Sequence, residues 1–144
     1  MIGNALMDMY VKCGALGKAQ QVLHMLPVRD IVTWSTLISG YTQDGRAHEA
    51  LNCFIQMQKD GLSPNEVTFI SVLKACGSIG AIDKGKHIHK EIVGRGYLKQ
   101  NMMLGNALVD MYVKCGELAK AQQVVEELDV RSVVSWNILI AGYT

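Results

Sequence analysis

The stretch Ala5 to Val22, ALMDMYVKCGALGKAQQV, decides the fold, because it returns as ALVDMYVKCGELAKAQQV at Ala107 to Val124. The match runs without a gap over residues 1–42 against 103–144, with 28 of 42 positions identical at an offset of 102. Trp34 with Gly40-Tyr41-Thr42 comes back as Trp136 with Gly142-Tyr143-Thr144. Self-similarity at a fixed period signals stacked supersecondary units that share a core.

Inside the period the chain reads as alternating helices. Ala5, Leu6, Met9, Tyr10 and Cys13 form an apolar stripe at helical spacing, with Lys12 in the last turn and Gly14 as the stop. Leu16, Ala19, Val22, Leu23 and Leu26 form a second stripe, closed by Pro27, which completes a helical hairpin. The next unit carries Trp34, Leu37, Ile38 and Tyr41, a turn at Gly45, then Ala47, Ala50, Leu51, Phe54 and Met57. The third carries Phe69, Ile70, Leu73 and Cys76, a looser turn around Gly77 and Gly80, then Ile82, Gly85, Ile88 and Ile92. Its start is marked by Ser63-Pro64-Asn65-Glu66, read as a cap, a proline at the first helical position and a glutamate three residues on. Units of 35, 36 and 31 residues make up the offset of 102. Each hairpin is too small to bury its own apolar face, so neighbours must stack. The chain opens inside one unit and closes after one helix of another, as expected of a cut-out from a longer array.

Composition agrees. Of 144 residues 49% are hydrophobic and 19% charged, the balance of 14 basic against 13 acidic side chains is +1, and there are two Pro and two Phe against 8 Met. That is a folded, helix-leaning composition with no global basic field, so any phosphate contact must be local. No apolar run approaches the roughly 18 residues of a membrane span, and Met1-Ile2-Gly3-Asn4 has no charged leader, so neither a membrane partner nor a targeting peptide is expected in this chain. Cys13, Cys53, Cys76 and Cys115 form no CxxC pair and are expected to be packing residues of a reducing compartment, with no metal and no cofactor.

These residues together resemble the plant pentatricopeptide repeat family, specifically its PLS class, in which 35-residue P, roughly 36-residue L and 31-residue S motifs alternate. The resemblance divides the chain into an S motif at 1–30, a P motif at 31–65, an L motif at 66–101, an S motif at 102–132 and a truncated P motif at 133–144. The S pattern is NALMDMYVKCGALGKAQQV from Asn4, the P pattern IVTWSTLISGYTQDGRAHEALNCFIQMQKDGLSPN from Ile31, and the L pattern EVTFISVLKACGSIGAIDKGKHIHKEIVGRG from Glu66. It implies an all-α, right-handed superhelical solenoid of stacked helix-turn-helix repeats. A tetratricopeptide array is the competing likeness: Trp34, Leu37, Tyr41, Ala50 and Phe54 fit its spacing. Ile38, Met57 and the unequal unit lengths do not.

The resemblance implies single-stranded RNA as the partner, about one base per repeat, each read by two or three side chains. In the family the reading positions are the fifth and last of a motif. Carried over, these are Asn4 with Asp30, Ser35 with Asn65, Ile70 with Asn101, Asn106 with Ser132, and Asn137 alone. Val32, Val67, Met103 and Val134, at the second position, would flank the base. An ionised Asp30 only accepts, which suits an imino N–H, whereas the Asn65 amide can donate to the ring nitrogen of adenine or cytosine. By analogy a short hydroxyl at the fifth position favours a purine and Asn a pyrimidine, which gives the tract U-A-N-Y. Ile70 cannot hydrogen-bond, and Ser132 stands where Asp is usual. Polar residues at helix starts are also common caps, so capping alone is the competing reading for Asn4, Ser35, Asp30 and Asn65.

Catalysis is not expected. His89-Lys90-Glu91 spells the H-x-E of zinc deaminases, but no P-C-x-x-C follows, and His87 and His89 point roughly 200° apart around a helix. The local +3 of the L motif, from Lys74, Lys84, Lys86, Lys90, Arg95 and Lys99 against Glu66, Asp83 and Glu91, faces either phosphates or solvent. The resemblance further implies a mitochondrial or chloroplast protein in RNA editing (C-to-U) or processing, with editing co-factors or a deaminase domain as possible partners. The alternative from another class is a protein-interaction scaffold without RNA.

Overall fold

The computed structural model describes residues 2–26, 29–96 and 102–127. All regular structure among them is helical: α1 (Ile2–Lys12), α2 (Leu16–Met25), α3 (Ile31–Gln43), α4 (Ala47–Lys59), α5 (Glu66–Ile79), α6 (Ile82–Gly94), α7 (Met102–Lys114) and α8 (Leu118–Glu127). The chain forms two compact units, Met1–Ala75 and Cys76–Thr144, with the division inside α5.

In the first unit α1 packs on α2 and α3 on α4, and α3 also lies against α1 and α2. The periodic residues of α3 and α4 are all inside: Trp34, Leu37, Ile38 and Tyr41 meet Ala47, Ala50, Leu51, Phe54 and Met57. Phe69 of α5 is fully buried and tilts against Phe54, with ring centroids 6.4 Å apart. Gly40 is the close-approach point of α3, since a Cβ there would stand 2.7 Å from Val11 Cγ1 and 3.1 Å from Leu16 Cδ2. In the second unit α7 packs on α6 and α8, burying Leu104, Leu108, Val109, Met111 and Tyr112 with Ile88, Ile92, Val124 and Val125.

Four hairpin turns share one design. After α1, the Gly14 N–H donates to the Val11 carbonyl and the Ala15 N–H to the Tyr10 carbonyl; Gly45 with Arg46, Gly80 with Ala81, and Gly116 with Glu117 repeat the pattern. This is the Schellman closure, which needs a left-handed residue, and Gly45 has φ 77°. Gly17 is the opposite case: it lies inside α2, a Cβ there meets nothing within 4 Å, and the second copy already has Ala119. Gly17→Ala is expected to raise unfolding free energy by about 0.5–1 kcal/mol and Gly45→Ala to lower it by about 1–2 kcal/mol. Urea denaturation of the two variants checks this, and a shift of the same sign in both would refute it.

Four sequence expectations need correction. The stripe Ala5, Leu6, Met9, Tyr10, Cys13 does not form a core in α1: Leu6 and Met9 are exposed, as are Ala5 and Cys13. Its counterparts Leu108, Met111 and Tyr112 are buried, because α6 covers α7, with Met111 seated on Gly85, whereas no described helix covers that face of α1. Cys13 is therefore not a packing residue, although Cys53 and Cys76 are, and burial pushes both of those thiols up to about 11. Gly77 is not part of a turn; it is helical and buried, close enough to α7 that a Cβ would come within 3.2 Å of the Lys114 side chain, and Gly80 alone makes the turn. Finally, α5 is capped by Asn65 and not by Ser63, since Asn65 Oδ1 accepts the Thr68 N–H.

The repeated Asp8/Lys12 and Asp110/Lys114 pairs close at 2.9 and 3.0 Å. They span adjacent turns at the surface, where such pairs are worth only about 0.3–0.5 kcal/mol, so burial dominates stability.

Candidate nucleic-acid interface

The site starts with two helix caps. Asp30, in extended backbone before α3, accepts both the Thr33 N–H at 2.9 Å and the Thr33 hydroxyl at 2.7 Å on its Oδ1. These donations, the backbone one foremost, hold its carboxyl below the ordinary carboxylate range, so it is ionised at neutral pH. Asn65 does the same for α5: its Oδ1 accepts the Thr68 N–H and the Thr68 hydroxyl, each at 2.9 Å. Both last-position residues are thus caps, and in each the two threonine donations end on one side-chain atom, Oδ1. Oδ2 of Asp30 and Nδ2 of Asn65 receive neither. The cap also fixes the Asn65 amide, because its oxygen must face the helix and its NH₂ must turn the other way.

Ser35, one turn into α3, is buried, and its Oγ stands 2.7 Å from Thr68 Oγ1. Further along the same two helices Ser39 Oγ stands 3.0 Å from Ser71 Oγ. Hydroxyls, not apolar side chains, therefore join this edge of α3 to α5. Ser35 and Asn65 open into one cleft of about 420 Å³ in the first unit. Val32 and Val67 line the same cleft, and both are more than half exposed although apolar, at 54% and 55%. Asp8, Lys12, Thr36, Ser39 and Gln43 complete its polar wall, so the one lysine there stands beside a carboxylate. Val32 and Ser35 are three apart on α3 and so share a face.

Of the other residues predicted from sequence, Asn106 is half-buried on α7, and Met103, three residues before it, is 70% exposed. That repeats the Val32/Ser35 phase. Ile70 is half-buried on α5. Asn4 lies in α1, but its side chain is outside the described residues, as are Asn101, Ser132, Val134 and Asn137. The structure thus brings together Ser35, Asn65, Val32 and Val67, and places Asp30 at its own helix start. Sequence reasoning missed Thr33 and Thr68. The spacing that betrays them, Asp30-x-x-Thr33 and Asn65-x-x-Thr68, is visible in the chain.

The described basic residues of the L motif do not line this cleft. Lys74, Lys84 and Lys90 are exposed, and Glu91 lies within 3.8 Å of Arg95 and 3.6 Å of His87. His89 packs edge-on to Tyr112 with its Nδ1 2.7 Å from the phenol oxygen, and burial lowers its basicity. Among the described residues no cluster of three or more His, Cys, Asp or Glu is arranged to hold a metal ion, and no helix is long and apolar enough to cross a membrane.

Comparison with known proteins gives the same architecture. The PPR repeat model matches residues 4–31, 67–97 and 106–133, and the PPR repeat family model matches 29–78. A mitochondrial pentatricopeptide repeat-containing protein of Arabidopsis thaliana, At3g24000, is 45% identical over 143 residues, 99% of this chain and 22% of the relative. The chloroplastic protein CRR2 of the same plant is 43% identical over 144 residues, 99% of this chain and 22% of the relative. This chain therefore spans about a fifth of the length of the curated relatives it matches. Among solved structures, pentatricopeptide repeat protein PPR10 in complex with an 18-nt psaJ RNA element matches 99% of this chain and 22% of its own, with TM-score 0.77 and 22% identity. A further structure of PPR10, from maize, matches 99% of this chain and 20% of its own, with TM-score 0.70 and 24% identity. The fold is the all-helical repeat solenoid of those structures.

Proposed function

The chain belongs to the pentatricopeptide repeat family, and from that premise we propose that it binds single-stranded RNA sequence-specifically, one base per motif. The observation that carries the reading is the cleft in which Ser35 and Asn65 stand between two exposed valines, Val32 and Val67. An exposed branched side chain on either side of a polar pair is what a base needs: apolar contact on its faces and hydrogen bonds on its edge. The Asn65 NH₂, turned out by its cap, donates to a ring nitrogen, and Ser35 meets the neighbouring exocyclic group. That pair takes adenine. Asp30, kept ionised by Thr33, serves with Asn4 for uracil, and Asn106 with Ser132 for a pyrimidine, which gives U-A-N-Y for the motifs at 1–30, 31–65, 66–101 and 102–132. The alternation of 35, 36 and 31 residues supports the PLS class. Curated relatives assigned to chloroplasts or mitochondria support an organellar home. Within a longer protein the role is target selection for C-to-U editing or another processing step.

Lys12 lines the same cleft and supplies a cation for the backbone, although it is shared with Asp8. With few such contacts and a net charge of +1, affinity is modest and falls with salt. Fluorescence anisotropy at low ionic strength, with RNAs carrying U-A-N-Y or the same tract with A replaced by G, C or U, tests the reading. The A-containing RNA is expected to bind about 5–20-fold more tightly. Equal binding of all four, or of none, would end it.

A further inference from the structure

We propose that Thr68, the third residue of the following motif, is a specificity-determining positioning residue for the base held by Ser35 and Asn65. It does so by fixing which hydrogen-bonding role each of the two presents. The inference rests on the base-reading function above and adds a residue that contacts no base.

The Thr68 N–H ends on Asn65 Oδ1 at 2.9 Å, which identifies that atom as the carbonyl oxygen. A carbonyl oxygen only accepts, so the contact from Thr68 Oγ1 to the same atom, also 2.9 Å, uses the single proton of the Thr68 hydroxyl. The 2.7 Å contact between Ser35 Oγ and Thr68 Oγ1 then has only one possible direction: Ser35 donates. With its proton spent, Ser35 Oγ offers lone pairs alone, while Asn65 offers its NH₂. Thr68 is fully buried and Ser35 nearly so, which makes these bonds costly to break and shields Thr68 from water.

The cleft therefore presents a fixed acceptor beside a fixed donor. With the ring nitrogen turned to Asn65, adenine matches: N1 accepts from the amide, and the N6 amino group donates to Ser35. Guanine mismatches at both points, because its N1 carries a proton and its O6 is an acceptor that faces lone pairs. A serine free to rotate would donate to O6 and tolerate guanine; Thr68 removes that freedom. The first half of this arrangement recurs at the other described P or L start, where the buried Thr33 hydroxyl donates to Asp30 Oδ1 at 2.7 Å.

The test measures binding of the chain to U-A-N-Y and U-G-N-Y RNAs for wild type, Thr68→Val, Thr68→Ala, Thr68→Ser and Ser71→Ala. Val keeps the branched shape and loses the hydroxyl; Ala loses the hydroxyl and the branch together and serves should Val fail to fold. Both are expected to cut the A-over-G preference about threefold to tenfold, the worth of one buried neutral hydrogen bond. Thr68→Ser keeps the proton and should hold the preference within about twofold. Ser71→Ala removes a comparable buried contact one turn on and should leave the preference unchanged whatever it does to stability. An A preference in wild type that persists in folded Thr68→Val or Thr68→Ala overturns the inference alone. So does a Ser variant that loses it as fully as Val, which would assign the effect to packing. A wild type with no A preference overturns the base-reading function itself and this inference with it.

Discussion

The double substitution Ser35→Asn with Asn65→Asp moves the preferred base at its motif from adenine to uracil. The ratio of A to U affinity is expected to change by roughly 10–100-fold, the range that one well-formed side-chain pair gives a base. The site can accept the change because the chain already holds the product of half of it. Asp30 sits before Thr33 as an Asp at 65 would sit before Thr68, with the same N–H and hydroxyl donated to one oxygen. Asp and Asn are equivalent caps, so α5 keeps its start. What changes is the outer atom: a carboxylate oxygen replaces an NH₂, so a site that donated to a ring nitrogen now accepts from an imino N–H. The single variant Asn65→Asp should lose the adenine preference without gaining one for guanine, since the carboxylate accepts from the guanine N1–H while Ser35, its proton held by Thr68, still turns lone pairs toward O6. Anisotropy titrations against RNAs with each of the four bases at that position check all three proteins. Adenine still preferred by the double variant would refute the assignment of this pair.

The helices were legible because their apolar residues recur at the helical period and their ends carry the chemistry of ends. Gly14 and Gly45 stop α1 and α3 where the pattern stops, and every periodic residue of α3 and α4 is inside. α1 shows why periodicity fails as a guide to burial. Leu6 and Leu108 occupy the same place in nearly the same sequence, yet one is exposed and the other fully buried, because burial depends on which helix lies alongside. Local sequence carries no trace of that neighbour. Ser63 reads as a cap on pattern, with Pro64 and Glu66 behind it; Asn65 holds the position because its side chain reaches the Thr68 N–H while Pro64 is buried ahead of the helix. At the cleft, the fifth and last positions came from resemblance, and the two valines with them. The Ser35–Thr68 bond did not, since it joins residues 33 apart whose meeting depends on how α3 lies on α5. Capping and base reading, which sequence set against each other, are both compatible with Asn65, because an amide has two ends.

Phe69→Ala is expected to lower the unfolding free energy by about 3–5 kcal/mol, the usual cost of removing a fully buried phenylalanine. Phe69 has no exposed surface, and its ring tilts against Phe54 of α4, a geometry that adds its own attraction to the area buried. The loss is large against the roughly 5–15 kcal/mol that holds a domain together, and in a repeat stack it falls on one interface between neighbours. That interface also places the site. Phe69 follows Thr68 directly, so loosening α5 separates Thr68 from Ser35 and carries Asn65 and Val67 away from Val32. Phe69→Leu keeps most of the volume and should cost about 1–2 kcal/mol while preserving the A preference. Urea melts followed by circular dichroism give the free energies, and anisotropy on the same proteins gives the base ratio. A Phe69→Ala protein that loses less than about 1 kcal/mol would show that the Phe54–Phe69 contact is not a principal source of this unit's stability.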